Sequence, residues 1–547
     1  MASPALPRLA MKLSGKLLAS AVTASLGGFL FGFDTVVISG AEQKIQSIWG
    51  LSDWLHGMAT SSALWGTVLG ALAGGVPTDR FGRKATLTSI GMLYFVSAVW
   101  SGLATDVYTF ALARFIGGVG VGISTVAAPL YITEIAPAEF RGRLTGMFQF
   151  NIVLGILIAF LSNAMLENVG ENNWRWMLGI EAIPALAYTL LCLRIPESPR
   201  WLINIRGDRD AGRAVLGEVN PEADAQTLDA MAASIAHHVG EDATHHNVHT
   251  PFWSRRLMRP IMLAFLVAFF NQMSGINAVL YYAPRILGMT GLGEQAAQIR
   301  SVGIGVTNLV FTMLGLWLID RLGRRTLLVI GSVGYIASLG VISATFYANA
   351  TPFGVAADAL AAQEAYKSLA TAESAGDVGG EKLAKLQEDA AAARKALALS
   401  SAGPEYQGEP AQLPADDDPR AVADAAGAAA RQASSLAGSG GLIVLIGIFA
   451  FIAAHAVGQG AVIWVLISEV FPNEHRASGQ AFGSGTHWVF AALITLLFPP
   501  VVRAFPAGAI FAFFCGMMAL QLVWVLTMVP ETKGVPLEEL QRKLGVE

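Results

Sequence analysis

Asp34 stands inside the run Gly27-Gly28-Phe29-Leu30-Phe31-Gly32-Phe33-Asp34-Thr35-Val36-Val37-Ile38, and Arg114 inside a second run of apolar and small residues farther along the chain. An ionised group held in hydrocarbon is costly unless a counter-charge or a proton neutralises it, so such residues default to a functional reading. Arg114 is the natural counter-ion. A carboxylate that pairs with an arginine in one state and takes a proton in another is a minimal proton-coupling device. A static buried ion pair that fixes helix packing is the competing reading of the same two residues.

Amides form a second set: Gln149, then Asn271, Gln272 and Asn277 within one apolar stretch, and Asn308 in the next. Phe31, Tyr281, Tyr282, Trp464 and Trp488 accompany them, with His487 beside the last. Amides offer paired donors and acceptors without net charge, and aromatic faces cover C–H surface, which is the chemistry of an uncharged polyol site. Single Asn or Gln residues in apolar helices also serve as interhelical hydrogen bonds. The cluster in one helix is harder to explain that way. His487 is a further titratable candidate, with a satisfied structural histidine as the competing reading.

Charged residues make a third set, and it is duplicated. Asp79-Arg80-Phe81-Gly82-Arg83-Lys84 recurs as Asp320-Arg321-Leu322-Gly323-Arg324-Arg325. Glu134-Ile135-Ala136-Pro137 with Arg141 recurs as Glu469-Val470-Phe471-Pro472 with Arg476, and Pro196-Glu197-Ser198-Pro199 as Pro530-Glu531-Thr532-Lys533. The first repeat has an interval of 241 residues and the second 335, so about 94 additional residues lie between Arg325 and Glu469. Acids accompany the bases at matching positions, which favours an ion-pair network latching the two halves over charge that serves only to orient the chain.

The elements that carry these residues are membrane spans. The chain is 54% hydrophobic and 14% charged, with mean hydropathy +0.52, against roughly 25% charged residues in a soluble domain. Stretches near the length needed to cross a bilayer lie at about 17–39, 56–77, 86–104, 108–132, 144–165, 177–194, 258–287, 298–319, 326–348, 441–467, 478–502 and 508–529. That makes twelve spans, six per repeat: an all-α membrane protein of two pseudo-symmetric six-helix bundles. Lys and Arg concentrate in the loops on one side, which places both termini in the cytoplasm. Met1–Lys16 runs directly into a full-length span and reads as no cleaved signal peptide. The expected organisation is an N-terminal bundle at 1–198, a cytoplasmic helical linker at 199–256, and a C-terminal bundle at 257–547 carrying an insertion at about 351–440.

The linker holds helix-like stretches at Arg209–Glu218 and Asp224–His238 and a histidine group, His237, His238, His245, His246 and His249. No cysteine or carboxylate spacing completes a zinc site there, so solvated histidines are expected. Cys192 and Cys515 both sit in apolar spans and imply no disulfide framework. The insertion begins with Ala-rich helical stretches at about 355–374 and 381–400. It continues as a Pro- and Asp-containing tract through Asp416-Asp417-Asp418 with too few large apolar residues for a core. A tolerated surface insertion is the expectation, ahead of a partner-binding element.

The ordered motifs GGFLFGFD, DRFGRK, RFIGGVGVG, PESPRW at 196–201, NQMSGINAVLYYAP at 271–284, DRLGRR and PETKG at 530–534 resemble the sugar porter family of the major facilitator superfamily. The resemblance spans the chain apart from the insertion. It implies two bundles rocking about a central site, with a helical cytoplasmic domain between them. It implies sugar contacts from Gln149, Asn271, Gln272, Asn277, Asn308 and Trp464. In proton-coupled relatives the position of Asp34 carries the coupling carboxylate, with the Arg114 position beside it, whereas facilitative relatives usually have a neutral residue there. The chain departs from the pattern at four places. Ile156 stands where a xylose-carrying relative has a glutamine, Asn271 replaces the first of two glutamines, His487 replaces an amide, and Gly460-Ala461 replaces Gly-Pro ahead of Trp464.

These readings converge on a proton-coupled monosaccharide symporter in the plasma membrane, acting as a monomer on a small neutral sugar and a proton, without cofactor, metal or nucleic acid. The alternatives are a uniporter for hexoses or polyols, in which Asp34 is structural, and a non-transporting sugar receptor whose insertion meets a partner. No nucleophile–base pair or phosphate loop supports an enzyme.

Overall fold

The computed structural model describes residues 14–244, 251–291, 294–375, 380–414, 418–535 and 537–546. Helices order the chain throughout, because backbone N–H and C=O groups facing lipid must be satisfied within their own segment. The first six spans are Gly15–Ile48, Asp53–Ala73, Arg83–Leu103, Val107–Ile135, Ala138–Leu166 and a broken sixth, Asn173–Gly179 with Ala182–Cys192. The second six are Met258–Met273 continued by Ile276–Tyr281 and Ala283–Gly288, then Glu294–Leu322, Arg324–Ala348, Gly440–Val457 continued by Gln459–Val470, Arg476–Ala504 and Ala507–Met528. Ten helical stretches are long and apolar enough to cross a bilayer. The second span, studded with Ser, Thr and Gly, and the interrupted sixth complete the twelve expected from the sequence.

Within the N-terminal bundle, span 1 lies along span 5 and span 2 along span 4. Both contacts depend on small residues. A Cβ at Gly32 would meet Ile152 O at 1.9 Å, and one at Gly118 would meet Ala63 O at 1.8 Å. Backbones therefore touch where a larger side chain would hold them apart, as is usual where helices associate in lipid. The two bundles meet at the face opposite the termini. There Arg285 binds Glu42 and Gln46, Gln298 Nε2 donates to Gly40 O at 3.2 Å, and Arg503 pairs with Asp53 at 3.1 Å.

The duplicated hexapeptide has the same backbone twice. Gly82 has φ 92 and ψ 168, and Gly323 has φ 89 and ψ 166. Each sits between two helices in a region that only glycine enters without strain. A Cβ there would also meet a carboxylate oxygen, Glu197 Oε2 at 2.4 Å or Glu531 Oε2 at 2.5 Å.

Between the bundles, Pro199–Asn204, Arg209–Val219 and Ala225–Thr244 form a small helical layer. Ile203, Leu216 and Ala232 pack at its centre. It is tied to the start of span 1 by Ser14 Oγ donating to Val219 O at 2.7 Å, and to the first charged loop by Trp201 Nε1 donating to Asp79 O at 2.7 Å. Hydrogen bonds from the Thr227 hydroxyl and amide hold the Asp224 carboxyl below the usual carboxylate range. That contribution is complete above the ordinary aspartate pKa and is lost as pH falls through the lowered one. His245, His246 and His249 lie outside the described residues.

The insertion differs from expectation. Beyond Ala350–Ala375 and Gly380–Ser401 it has a third helix, Pro419–Leu436, where a coreless tract was expected. Val355, Ala359, Leu397, Ala426, Ala430 and Ala433 form one small core, and Tyr366, Leu369, Ala390 and Val422 a second. The expectation weighed only large apolar side chains. Alanine faces let helices approach closely, so a few larger residues fill what remains. The insertion seats on the C-terminal bundle through Phe353 against Phe346, ring centroids 5.7 Å apart, and through Ala356 against Gly291.

Gly82→Ala and Gly323→Ala should each destabilise the folded protein by about 1–3 kcal/mol through backbone strain. Thermal unfolding in detergent should give a lower midpoint for both. Gly142→Ala, at a helical position with open space around it, should not lower the midpoint.

Candidate functional site

Span 1 presents Asp34 and span 4 presents Arg114, both 2% exposed. Arg114 Nη1 donates to Asp34 Oδ1 at 2.5 Å and Nη2 to the Asp34 backbone carbonyl at 2.8 Å. Gly117, one turn beyond Arg114, leaves the room. A Cβ there would meet Ser97 Oγ at 2.4 Å and approach Asp34 Oδ1 to 3.7 Å. A second carboxyl completes the group. Glu181 is buried at the break between the two halves of span 6, and it interacts with both Asp34 and Arg114. Tyr94 and Tyr281, both buried, feel the same charges from spans 3 and 7.

Sequence reasoning found Asp34 and Arg114 but passed over Glu181. Its signal was present: Glu181 is an acid between the apolar runs Trp176–Ile180 and Ala182–Cys192, on the Asp34 criterion itself.

The amide set gathers at the break in span 7. Gly275, with φ 85, ends one helix and starts the next, turning Asn277 back toward Gln272. Asn277 Nδ2 donates to Gln272 Oε1 at 2.7 Å, and Gln272 Nε2 donates to Asn271 Oδ1 at 3.0 Å. The same Gln272 nitrogen lies 3.2 Å from the His487 ring. His487 is enclosed by Trp464 at 5.0 Å and Trp488 at 4.7 Å, centroid to centroid. Trp488 reaches the other bundle, its ring 5.6 Å from that of Phe31. Phe31, Gln272, Asn271, Asn277, Trp464, His487 and Trp488 are thus brought together at the bundle interface. Gln149 is half-buried on span 5, and Asn308 is buried on span 8, where it accepts the Thr312 hydroxyl at 3.3 Å. Tyr282 is directed elsewhere. Its hydroxyl donates to Thr495 O at 2.9 Å and its ring stacks on Phe498.

The charged loops form two matching clusters. Arg83 binds Glu134 with Nε and Nη2, each at 2.9 Å, and reaches Asp79 at 3.1 Å. Arg324 binds Glu469 with Nε at 3.1 Å and Nη2 at 2.8 Å, and reaches Asp320 at 3.6 Å. The expected latch between the two halves differs in one respect: each of these clusters closes within its own bundle. Some expected members stand apart. Arg80 lies over Phe81 and Arg321 over Trp317, Arg141 Nε is buried without a partner among the described residues, and Arg476 donates to Ser468 O. The sequence marks Glu197 and Glu531 only as members of a repeat, yet each caps the helix after a charged loop. Glu531 accepts the backbone N–H of Arg324, Arg325, Thr532 and Lys533, and Glu197 those of Arg83, Lys84 and Ser198.

Two six-helix bundles with charge and amides buried at their interface define a membrane transporter. The family model for sugar (and other) transporters matches residues 20–362 and 424–544, on either side of a stretch within the insertion. The chain is 28% identical over 530 residues to the arabinose-proton symporter of Bacillus subtilis, covering 95% of this chain and 93% of that protein. It is 27% identical to the D-xylose-proton symporter of Escherichia coli, covering 95% and 94%, and 30% identical to inositol transporter 4 of Arabidopsis thaliana, covering 96% and 91%. Among solved structures, the inward-open xylose transporter of Escherichia coli superposes with a TM-score of 0.69 at 25% identity, covering 96% of this chain and 99% of that one. The chain belongs to the sugar porter family of the major facilitator superfamily. It is a multi-pass membrane protein and a transporter, not an enzyme.

Glu531→Ala leaves four backbone amides without their acceptor. The folded state should lose about 1–3 kcal/mol, read as a lower unfolding midpoint in detergent. Glu197→Ala should behave alike in the first half.

Proposed function

We propose that this protein is a proton-coupled importer of a small neutral monosaccharide that works by alternating access. The observation that carries the reading is the buried constellation of Asp34, Arg114 and Glu181. Two carboxylates facing one guanidinium carry a net negative charge when both are ionised, and a single proton neutralises it. The constellation reaches the sugar site through span 7, whose Tyr281 lies near both charges while Asn277 and Gln272 line the break below. Relatives whose names join a pentose to a proton support the same reading.

In the proposed orientation the charged loops and both termini face the cytoplasm, in the plasma membrane. The face opposite the termini is then external, and it is closed. From the outward-facing form, protonation of the Asp34–Glu181 pair loosens the hold on Arg114 and permits closure once sugar is bound. Inward opening releases sugar and proton. One charge moved through 100 mV supplies about 2.3 kcal/mol, enough for roughly fifty-fold accumulation before any pH gradient is added.

A second substrate reading has a specific support. Kinship to inositol transporters reaches 30% identity, and His487 among the amides offers a ring nitrogen to a hydroxyl-rich ring. A cyclic polyol is therefore the alternative ligand in the same site.

The test is uptake of labelled neutral sugars and inositol into proteoliposomes, with and without an inward proton gradient. Wild type should concentrate its substrate only with the gradient, while Asp34→Asn exchanges substrate without concentrating it. Equal behaviour of both proteins regardless of the gradient would make this a uniporter. Gln272→Ala, which removes the hub of the amide cluster, should raise KM at least about tenfold, as expected for a lost hydrogen bond to a hydroxyl.

A further inference from the structure

Two deeply buried ionisable groups have no part in the reading above. Glu42 lies two helical turns beyond Asp34 on span 1, about 12 Å along the axis, and it is fully buried. His56 on span 2 is 1% exposed, and its Nε2 is hydrogen-bonded to Glu42 Oε2 at 2.7 Å. From the other bundle, Arg285 on the last segment of span 7 grips both carboxylate oxygens, Nε to Oε1 at 2.9 Å and Nη2 to Oε2 at 2.6 Å. Arg285 Nη2 also donates to Gln46 Oε1 at 2.6 Å. The charged and titratable groups around this contact are Asp53 and His56 from span 2, Tyr282 and Arg285 from span 7, and Arg503 from span 11. Asp53 accepts from Gln46 and pairs with Arg503, and the Tyr282 ring packs on His56 at 6.3 Å.

Bidentate pairing of a carboxylate with a guanidinium is strong and geometrically strict. Here it crosses between the bundles, and it does so at the closed face. Parting the bundles there carries Arg285 away and leaves Glu42 and His56 together on the N-terminal bundle, open to water. With one positive charge fewer beside it, the Glu42–His56 pair takes up a proton more readily than before.

We propose that Glu42, His56 and Arg285 form a proton-sensitive latch, separate from Asp34 and Arg114, that holds the face opposite the termini shut and opens with uptake of a proton by the Glu42–His56 pair. The proposal rests on the alternating-access part of the preceding reading and not on coupling through Asp34. Its sign is fixed by the geometry. The closed latch favours the deprotonated carboxylate, so acid on the external side favours opening, by at most about tenfold in the open-to-closed ratio per pH unit for one linked proton.

Spin labels at Ser47→Cys and Ala504→Cys, exposed at this face on the two bundles, report the separation in lipid nanodiscs. Cys192 and Cys515 are replaced by alanine in the same protein, and double electron–electron resonance is recorded between about pH 8 and about pH 5. With the latch intact, one short distance should dominate at the high end and a longer one should grow as pH falls. Glu42→Gln should show the longer distance throughout, with little pH dependence. Arg285→Gln, which leaves the Glu42–His56 pair in place, should also favour the longer distance at high pH and carries the test if Glu42→Gln does not purify as a single species. Wild-type distances with wild-type pH dependence in Glu42→Gln or, should that variant fail, in Arg285→Gln would overturn the proposal. So would a pH dependence that survives Glu42→Gln and disappears in Asp34→Asn, since that would assign the proton to the other site. The labels read the gate and not transport, so failure of sugar–proton coupling would leave this result interpretable.

Discussion

A charge taken out of water must be met by an opposite charge or a proton at contact distance, and that constraint organises this protein from one face to the other. Arg114 meets Asp34 at the middle of the N-terminal bundle, Arg83 meets Glu134 at its loop end, Arg324 meets Glu469 in the second bundle, and Arg285 meets Glu42 across the two. A buried pair of this kind adds little net stability compared with apolar packing, but breaking it is expensive. Each therefore acts less as glue than as a selector of arrangements in which both partners are present.

The location of each pair decides what it selects. Arg83–Glu134 and Arg324–Glu469 close within single bundles, together with the helix-capping carboxylates Glu197 and Glu531. They tie the loop ends of each bundle to its own helices. Glu42–Arg285 crosses between the bundles. Asp34–Arg114 lies inside one bundle, next to Tyr281 of the other.

The interface is also where the polar chemistry is concentrated. Gly275 breaks span 7 among Asn271, Gln272 and Asn277, and the break frees the amides to bond to one another rather than only to project from a helix. Irregular backbone at membrane depth is tolerated where protein or a cavity surrounds it. The aromatic ring set of Phe31, Trp464, His487 and Trp488 encloses the same region from both bundles. The insertion stands apart from all this as a three-helix layer whose alanine faces supply close packing in place of bulk.

The sequence by itself determined the twelve spans, their division into two repeats, and the Asp34–Arg114 pairing, because hydrophobic length, duplication and isolated intramembrane charge are all local or periodic signals. It also marked the amide cluster, whose members are neighbours in one stretch. Only the tertiary structure decided which charges meet across the bundles. Glu181, Glu42, His56 and Arg285 were legible as residues, but their partners lie on other helices at separations that no periodicity encodes. The closure of each loop cluster within its own bundle and the core of the insertion were decided in the same way. Both rest on how closely helix backbones approach, and small residues set that distance without announcing which neighbour they admit.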